Sequence, residues 1–139
     1  MVKIPLLPLI MKMYFFLCDH LTEDECLRRH LAGTTSANFE WALNIIPGDS
    51  IAIYNFKTGD VVGPFTATSA ANCYESNAWG GRFPVQVQFA ITAQSRRGNL
   101  LDNAAGKSFL AARTKPPHIL EGKAATRFVS WIAKEGRAV

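Results

Sequence analysis

Residues 80–92 read Gly-Gly-Arg-Phe-Pro-Val-Gln-Val-Gln-Phe-Ala-Ile-Thr, and Val85-Gln86-Val87-Gln88-Phe89 alternates apolar with polar residues. Period two puts one side-chain set on a core face and the other on a polar face, so Phe83–Thr92 is predicted as a strand. Immediately upstream, Ala70–Gly81 is a loop holding Cys73, Tyr74 and Trp79. Before it, Val61–Ser69 reads as another strand, in which Gly63-Pro64 marks a bulge-like irregularity. Thr58-Gly59 joins that strand to Ile51–Phe56 as a hairpin turn, and Pro47-Gly48-Asp49 turns the chain into the pair.

Further out, Met13–Cys18 (MYFFLC) is short, aromatic and apolar, as a buried strand is. Thr22 with Glu25 forms a capping-box signature, and Leu21, Cys26, Leu27 and Leu31 repeat at helical spacing, so Glu23–Leu31 is predicted as a helix stopped by Gly33. Gly33–Asn38 reads as a polar loop, and Phe39–Ile46 as a short helix with Phe39, Leu43 and Ile46 on its buried face. Past the strand, Gln94–Asn103 is polar, Phe109–Ala112 reads as a short strand, and Lys115-Pro116-Pro117 breaks the chain. Glu121–Lys134 is an amphipathic helix with Ala125, Phe128, Val129 and Ile132 inward. Hairpin-linked strands flanked by helices predict an α+β domain built on a small curved sheet or open barrel.

A chain of 139 residues is the length of one domain, here assigned to residues 13–139 with 1–12 as an N-terminal extension. Hydrophobic residues at 48% and charged residues at 19% exclude disorder, collagen and a free coiled coil. The net charge of +4 permits a polyanionic partner without requiring one. Three cysteines, an odd and small number, predict a reducing, intracellular, cytoplasmic setting over a disulfide scaffold. Val2–Leu17 is apolar, but Pro5, Pro8 and Lys12 interrupt it short of the ~20 residues of a spanning helix. No small-x-small cleavage site follows, so neither export nor membrane insertion is expected.

The catalytic templates are empty. Gly106-Lys107-Ser108 resembles the end of a phosphate loop, yet Leu101 stands where that loop needs glycine. No GxSxG, HExxH or GxGxxG is placed to act, and no carboxylate pair sits in apolar sequence. A binding domain without cofactor is the expectation. One metal alternative remains: Cys18 and His20 at a strand end, with Cys26 and His30 on one helix face, make a Cys2His2 zinc set if all four converge.

Three stretches carry a family likeness. They are Tyr14-Phe15-Phe16-Leu17-Cys18 with Thr22 and Glu25-Cys26; Ile46-Pro47-Gly48-Asp49 leading into Ile53-Tyr54-Asn55-Phe56, then Val62-Gly63-Pro64-Phe65 and Ala67-Thr68-Ser69; and Gly80-Gly81-Arg82-Phe83-Pro84-Val85-Gln86-Val87. Over residues 13–92 the chain resembles the DCD (development and cell death) domain, which shows the same Thr…Glu-Cys opening, a PG turn before a strand, a G-x-[FY]-x-A-x-S strand and a GRFPAQV phrase. The resemblance implies a PUA-like fold shared with EVE and YTH domains: an open β-barrel of about five to six mostly antiparallel strands with two to three helices. It also implies recognition of RNA or of a nucleotide, modified or not, because YTH domains hold a methylated adenine in an aromatic cage. DCD proteins are best known from stress and programmed cell death in plants, which makes a protein-interaction module the first alternative and a zinc-binding domain or an enzyme the second.

Carried over residue by residue, the resemblance puts Tyr74 and Trp79 at two cage positions, Trp79 directly before Gly80-Gly81-Arg82-Phe83. The third cage position falls in Gly33-Thr34-Thr35-Ser36, which has no aromatic, while Trp41 and Trp131 fit helix faces that pack inward. Asp19 and His20 take the place of the polar groups that read a base edge. The implied ligand set is therefore Asp19, His20, Thr34, Thr35, Ser36, Tyr74, Trp79 and Arg82. Arg96, Arg97, Lys107, Arg113 and Lys115 form a basic set expected to follow an RNA or single-stranded nucleic-acid backbone.

Overall fold

The computed structural model describes residues 12–102, 104–112 and 119–139. Six strands form one curled sheet: β1 (Lys12–Cys18), β2 (Leu31–Thr34), β3 (Ser50–Asn55), β4 (Asp60–Ala67), β5 (Val85–Asn99) and β6 (Ile119–Glu121). Their spatial order is β2-β5-β4-β3-β1-β6, and every neighbouring pair is antiparallel except β1 and β3. Four helices accompany it: α1 (Glu23–Arg29), α2 (Phe39–Ala42), α3 (Ala104–Ala112) and α4 (Lys123–Glu135). The expected α+β fold on an open, curled sheet is thus present, with four α-helices among the described residues where two to three were expected.

β1 explains its own composition. It lies between β3 and β6 with both faces covered, so it reads as an unbroken apolar run where an edge strand would alternate. Tyr14, Phe16 and Cys18 enter one core with Ile51, Ile53, Phe65, Val87 and Phe89. Met13 and Phe15 enter a second core on the opposite face, under α3 and α4, with Tyr54, Phe109, Phe128 and Ile132. β1 begins at Lys12, one residue inside the segment assigned to the extension.

Several elements depart from expectation for identifiable reasons. The predicted capping box does not form: Thr22 makes no side-chain cap bond to the helix. Instead Asp19 Oδ1 accepts from Leu21 N–H and Thr22 N–H, fixing the turn into α1. The helix stops at His30, which adopts a left-handed conformation (φ 55°), and not at Gly33, which lies inside β2. Residues 33–38, expected as a loop, supply half of β2 and a 3₁₀ turn at Ser36–Asn38. The predicted face of Phe39, Leu43 and Ile46 points to solvent, the three being 43%, 52% and 60% exposed, while Ala42 and Ile45 are buried.

β5 runs past Thr92 to Asn99, since the polar stretch Arg96–Asn99 still pairs with Asp60–Gly63. Phe109–Ala112 is the end of a helix and not a strand, as the alanine-rich run Ala104–Ala112 favours. The last strand is Ile119–Glu121, against Lys12–Tyr14. The break at Lys115-Pro116-Pro117 lies outside the described residues.

Candidate functional site

A cleft of about 210 Å³ opens where the end of β1 faces the end of β2. Its polar edge is Asp19, Thr34, Thr35 and Asn38. Its aromatic walls are Trp41, Phe56 and Phe83, and Arg82 stands at its rim. Asn38 is fixed by donating to Thr34 Oγ1 at 2.7 Å. Trp41 is held against the core, stacked parallel to Tyr14 (ring centroids 6.3 Å apart, 3°) and tilted against Phe16 (5.5 Å). Its indole Nε1–H is buried and has no hydrogen-bond partner among the described residues. Trp41 therefore offers the cleft ring surface and no exposed donor.

The cleft carries one charge of each sign. Burial pushes the Asp19 carboxyl up, but the bonds from Leu21 N–H, Thr22 Oγ1–H and Thr22 N–H, with Arg82 nearby, bring it below its ordinary value. All three bonds go to Oδ1, leaving Oδ2 without a partner among the described residues. Arg82 lies over the Phe83 ring (5.2 Å to the centroid) and makes no ion pair among the described residues. An ionised acceptor, an unpaired guanidinium and flat apolar walls make a site suited to a small planar ring bearing polar edges and an anionic tail.

The sequence-predicted residues divide. Asp19, Thr34, Thr35 and Arg82 line the cleft. His20 is exposed in the turn after β1 and Ser36 begins the 3₁₀ turn; neither lines it. Tyr74 is 38% exposed and spends its hydroxyl on Ala70 O at 2.7 Å. Its loop is pinned elsewhere, by the buried Gln86, whose Oε1 accepts from Tyr74 N–H and Glu75 N–H.

Trp79 corrects the central expectation. It is 4% exposed, inside the barrel core, and not presented to a ligand. Its Nε1–H donates to Thr22 O at 3.2 Å, and its backbone N–H, in a left-handed turn (φ 52°), donates to Glu25 at 2.7 Å. The indole lies against Gly33 and edge-on to Phe83 (5.4 Å). Glu25 thus binds the Trp79 backbone in place of the helix cap assigned to it, and that bond, chiefly, holds its carboxyl below the ordinary value.

The basic set does not gather at the cleft. Arg97 is committed to Glu23 (2.9 Å) and Asp60 (3.4 Å), and Arg96 donates to Ala93 O and Ser95 O of its own strand. Lys107 sits on α3, away from the lining, and Arg113 and Lys115 lie outside the described residues. The zinc set does not converge either: no group of three or more His, Cys, Asp or Glu gathers among the described residues. Cys18 and Cys26 are buried thiols raised by desolvation, Cys26 to about 12, while the His30 ring stacks on Phe89 at 5.7 Å. No helix among the described residues is long and apolar enough to cross a membrane.

Trp41 was expected to pack inward and Phe56 and Phe83 were given no site role, so none of the three was expected as a cleft wall. Periodicity reads Trp41 as core, which half of it is, and no linear signal marks its other edge as a cleft wall.

The family model of the development and cell death domain matches residues 12–104, two thirds of the chain. This chain belongs to that family. No curated protein sequence matches it. Among solved structures it is similar to the crystal structure of the Mmi1 YTH domain, with a TM-score of 0.63 and 13% identity over 87% of this chain and 94% of that one. It is similar to the Mmi1 YTH domain in complex with RNA (TM-score 0.63, 12% identity, 91% and 84% covered). It is also similar to the YTH domain of Zygosaccharomyces rouxii MRB1 protein in complex with N6-methyladenosine RNA (0.56, 12%, 99% and 94%). At these identities the likeness establishes a common fold.

Proposed function

We propose that this DCD domain binds single-stranded RNA, or a free nucleotide, by seating one base in the cleft between Asp19, Thr35 and Trp41 with a phosphate against Arg82. The observation that carries the reading is an aromatic-walled hollow, too small for more than one ring system, beside a guanidinium that no acid claims. A base stacked on an aromatic face gains ~1–3 kcal/mol whatever its identity. Asp19 Oδ2 is free to accept from an exocyclic amino group, and the exposed Thr35 hydroxyl to donate to a ring nitrogen or carbonyl. The RNA held by two of the structurally similar YTH domains supports the same ligand class. The exposed free thiol of Cys73 suits a reducing, intracellular setting.

The test is fluorescence anisotropy of a labelled single-stranded RNA at several salt concentrations, run in parallel with N6-methyladenosine in place of adenosine. Arg82→Ala should weaken binding and reduce the slope of log K against log salt by about 0.7, the loss of one phosphate contact. Thr35→Trp, at an exposed lining position, should fill the cleft and abolish binding with the melting temperature unchanged. If both variants bind as the parent does, the cleft is not the site.

One observation favours a second reading, a protein partner. Phe39, Leu43 and Ile46 form an exposed apolar row on the segment that carries Trp41. A partner retained after nuclease treatment and lost in Leu43→Glu/Ile46→Glu would support it.

A further inference from the structure

A second hollow lies on the helical side of the sheet and shares no lining residue with the cleft. It is a groove of about 500 Å³ between α3 and α4. Along α4 its wall is Ala124, Arg127, Trp131 and Lys134, a 3-4-3 spacing that makes one stripe on the helix flank. The neighbouring stripe, Ala125, Phe128 and Ile132, faces the sheet and is fully buried. α4 therefore has two working faces, and the described residues cover only one of them.

The floor is apolar and rigid. Phe109 meets Trp131 at 5.6 Å and Phe128 at 5.5 Å, and the Trp131 ring lies so close over Gly98 that a Cβ there would sit 3.1 Å from it. The Trp131 Nε1–H is buried and has no partner among the described residues. The charged groups lining the groove are cations only, Arg127 and Lys134, and neither makes an ion pair among the described residues.

The two demands select an occupant. A polyanionic backbone would use the cations but leave the apolar floor uncovered. A neutral apolar chain would cover the floor and leave two cations unpaired. An amphipathic helix with acidic flanks meets both, in the groove-docking mode by which apolar anchors at i, i+3/i+4 and i+7 fill a trough. The seven-residue step from Arg127 to Lys134 spans about 10 Å, two helical turns, which is also the rise between two acids seven apart on a docked helix. We propose that the α3–α4 groove docks an acidic amphipathic helix of a partner protein, apolar residues on Phe109 and Trp131 and acids on Arg127 and Lys134. This stands apart from the nucleotide reading, and failure of either leaves the other intact.

The experiment is selection from a displayed library of randomised 18-residue helices on the whole chain, with depletion on Arg127→Glu/Lys134→Glu. Survivors should carry Asp or Glu seven residues apart around bulky apolar positions. A synthetic copy of the strongest should quench the emission of Trp131, a signal missing in Trp131→Phe, and lose roughly tenfold or more in affinity for the double variant. Replacing the peptide's acids by lysine should restore binding to the double variant, which also reports that this variant is folded. Survivors without acids, equal binding to both proteins, or no restoration by the charge swap would overturn the proposal. So would single-stranded RNA perturbing Trp131 where no peptide does, or self-association of the chain lost in the double variant, since each names a different occupant.

Discussion

Replacing Gly33 by alanine tests the burial of Trp79 directly. A Cβ at Gly33 would lie 2.7 and 2.8 Å from Cζ3 and Cη2 of the indole and 2.9 Å from Cβ of Phe83, against an ordinary contact of 3.4 Å or more. Trp79 has no easy retreat, because its ring nitrogen is tied to Thr22 O and its backbone N–H to Glu25. Overpacking a tight core costs ~1–3 kcal/mol. Gly33 sits in a strand, outside the left-handed region, so alanine returns about 0.4–1 kcal/mol through the unfolded chain. The net expectation is a loss of about 1–2 kcal/mol, or a fall in Tm of roughly 4–8 °C. Denaturant melts of Gly33→Ala, Trp79→Phe and the double variant close a cycle. Trp79→Phe alone should cost ~2–4 kcal/mol for the lost ring atoms and hydrogen bond, but part of the alanine penalty should vanish in the shorter ring's presence, a coupling of about 0.5–1 kcal/mol. A neutral Gly33→Ala, or strict additivity, would mean that the indole is not wedged on Gly33, and the core position of Trp79 would have to be abandoned.

Three further outcomes follow from the same geometry. Arg97→Met should cost ~1–3 kcal/mol in denaturant melts by leaving Glu23 Oε2 and Asp60 Oδ2 without their cation, with RNA affinity unchanged; loss of affinity at full stability would return Arg97 to the phosphate set. Asp19 and Glu25 are held below their ordinary values in the folded chain, so the stability they lend is present above the unfolded carboxylate range of about 4 and is lost as pH falls through their folded values. Asp19→Asn/Glu25→Gln should therefore flatten the acid limb of a stability-against-pH curve, and a superimposable limb would refute the assignment. Burial raises the Cys18 and Cys26 thiols while Cys73 is exposed, so a thiol reagent at pH 8 should label one cysteine quickly in the native chain and all three only after denaturation; two fast sites would contradict the packing.

The legible parts of this fold are those whose patterns have one physical cause. Val85–Phe89 alternates because one face is core, and Met13–Cys18 does not because both faces are. The turn at Thr58-Gly59 needs a positive φ, which Gly59 takes at 85°. The misread parts have competing causes. Arg96–Asn99 is too polar for a buried strand, yet Arg97 satisfies its charge on Glu23 and Asp60 while its backbone pairs with Val62. Phe39, Leu43 and Ile46 have the spacing of a buried helix face, but only four residues, Phe39–Ala42, are helical, and the buried positions fall on Ala42 and Ile45. Of the cleft, the charged and hydroxyl residues Asp19, Thr34, Thr35 and Arg82 were legible through the family likeness; its aromatic walls were not.

The two tryptophans explain why. The stretch Gly33-Thr34-Thr35-Ser36 shows no aromatic where a cage wall was expected, and Trp79 stands where another was. In the folded chain these are one fact. Gly33 has no side chain because the Trp79 ring occupies that space from the core side, and Trp79 is buried because Gly33 lets it approach the strand. Thr22 and Glu25, 57 and 54 residues earlier in the chain, then take up both of its N–H groups, so the ring has no polar reason to face water. With that indole committed to packing, the tryptophan left to line the cleft is Trp41. Binding in this domain is accordingly expected to depend on the wall that β1 and α2 build together. Trp41→Leu, which keeps apolar bulk but removes the flat ring, should weaken a bound base more than it lowers Tm, and Trp79→Phe should do the reverse.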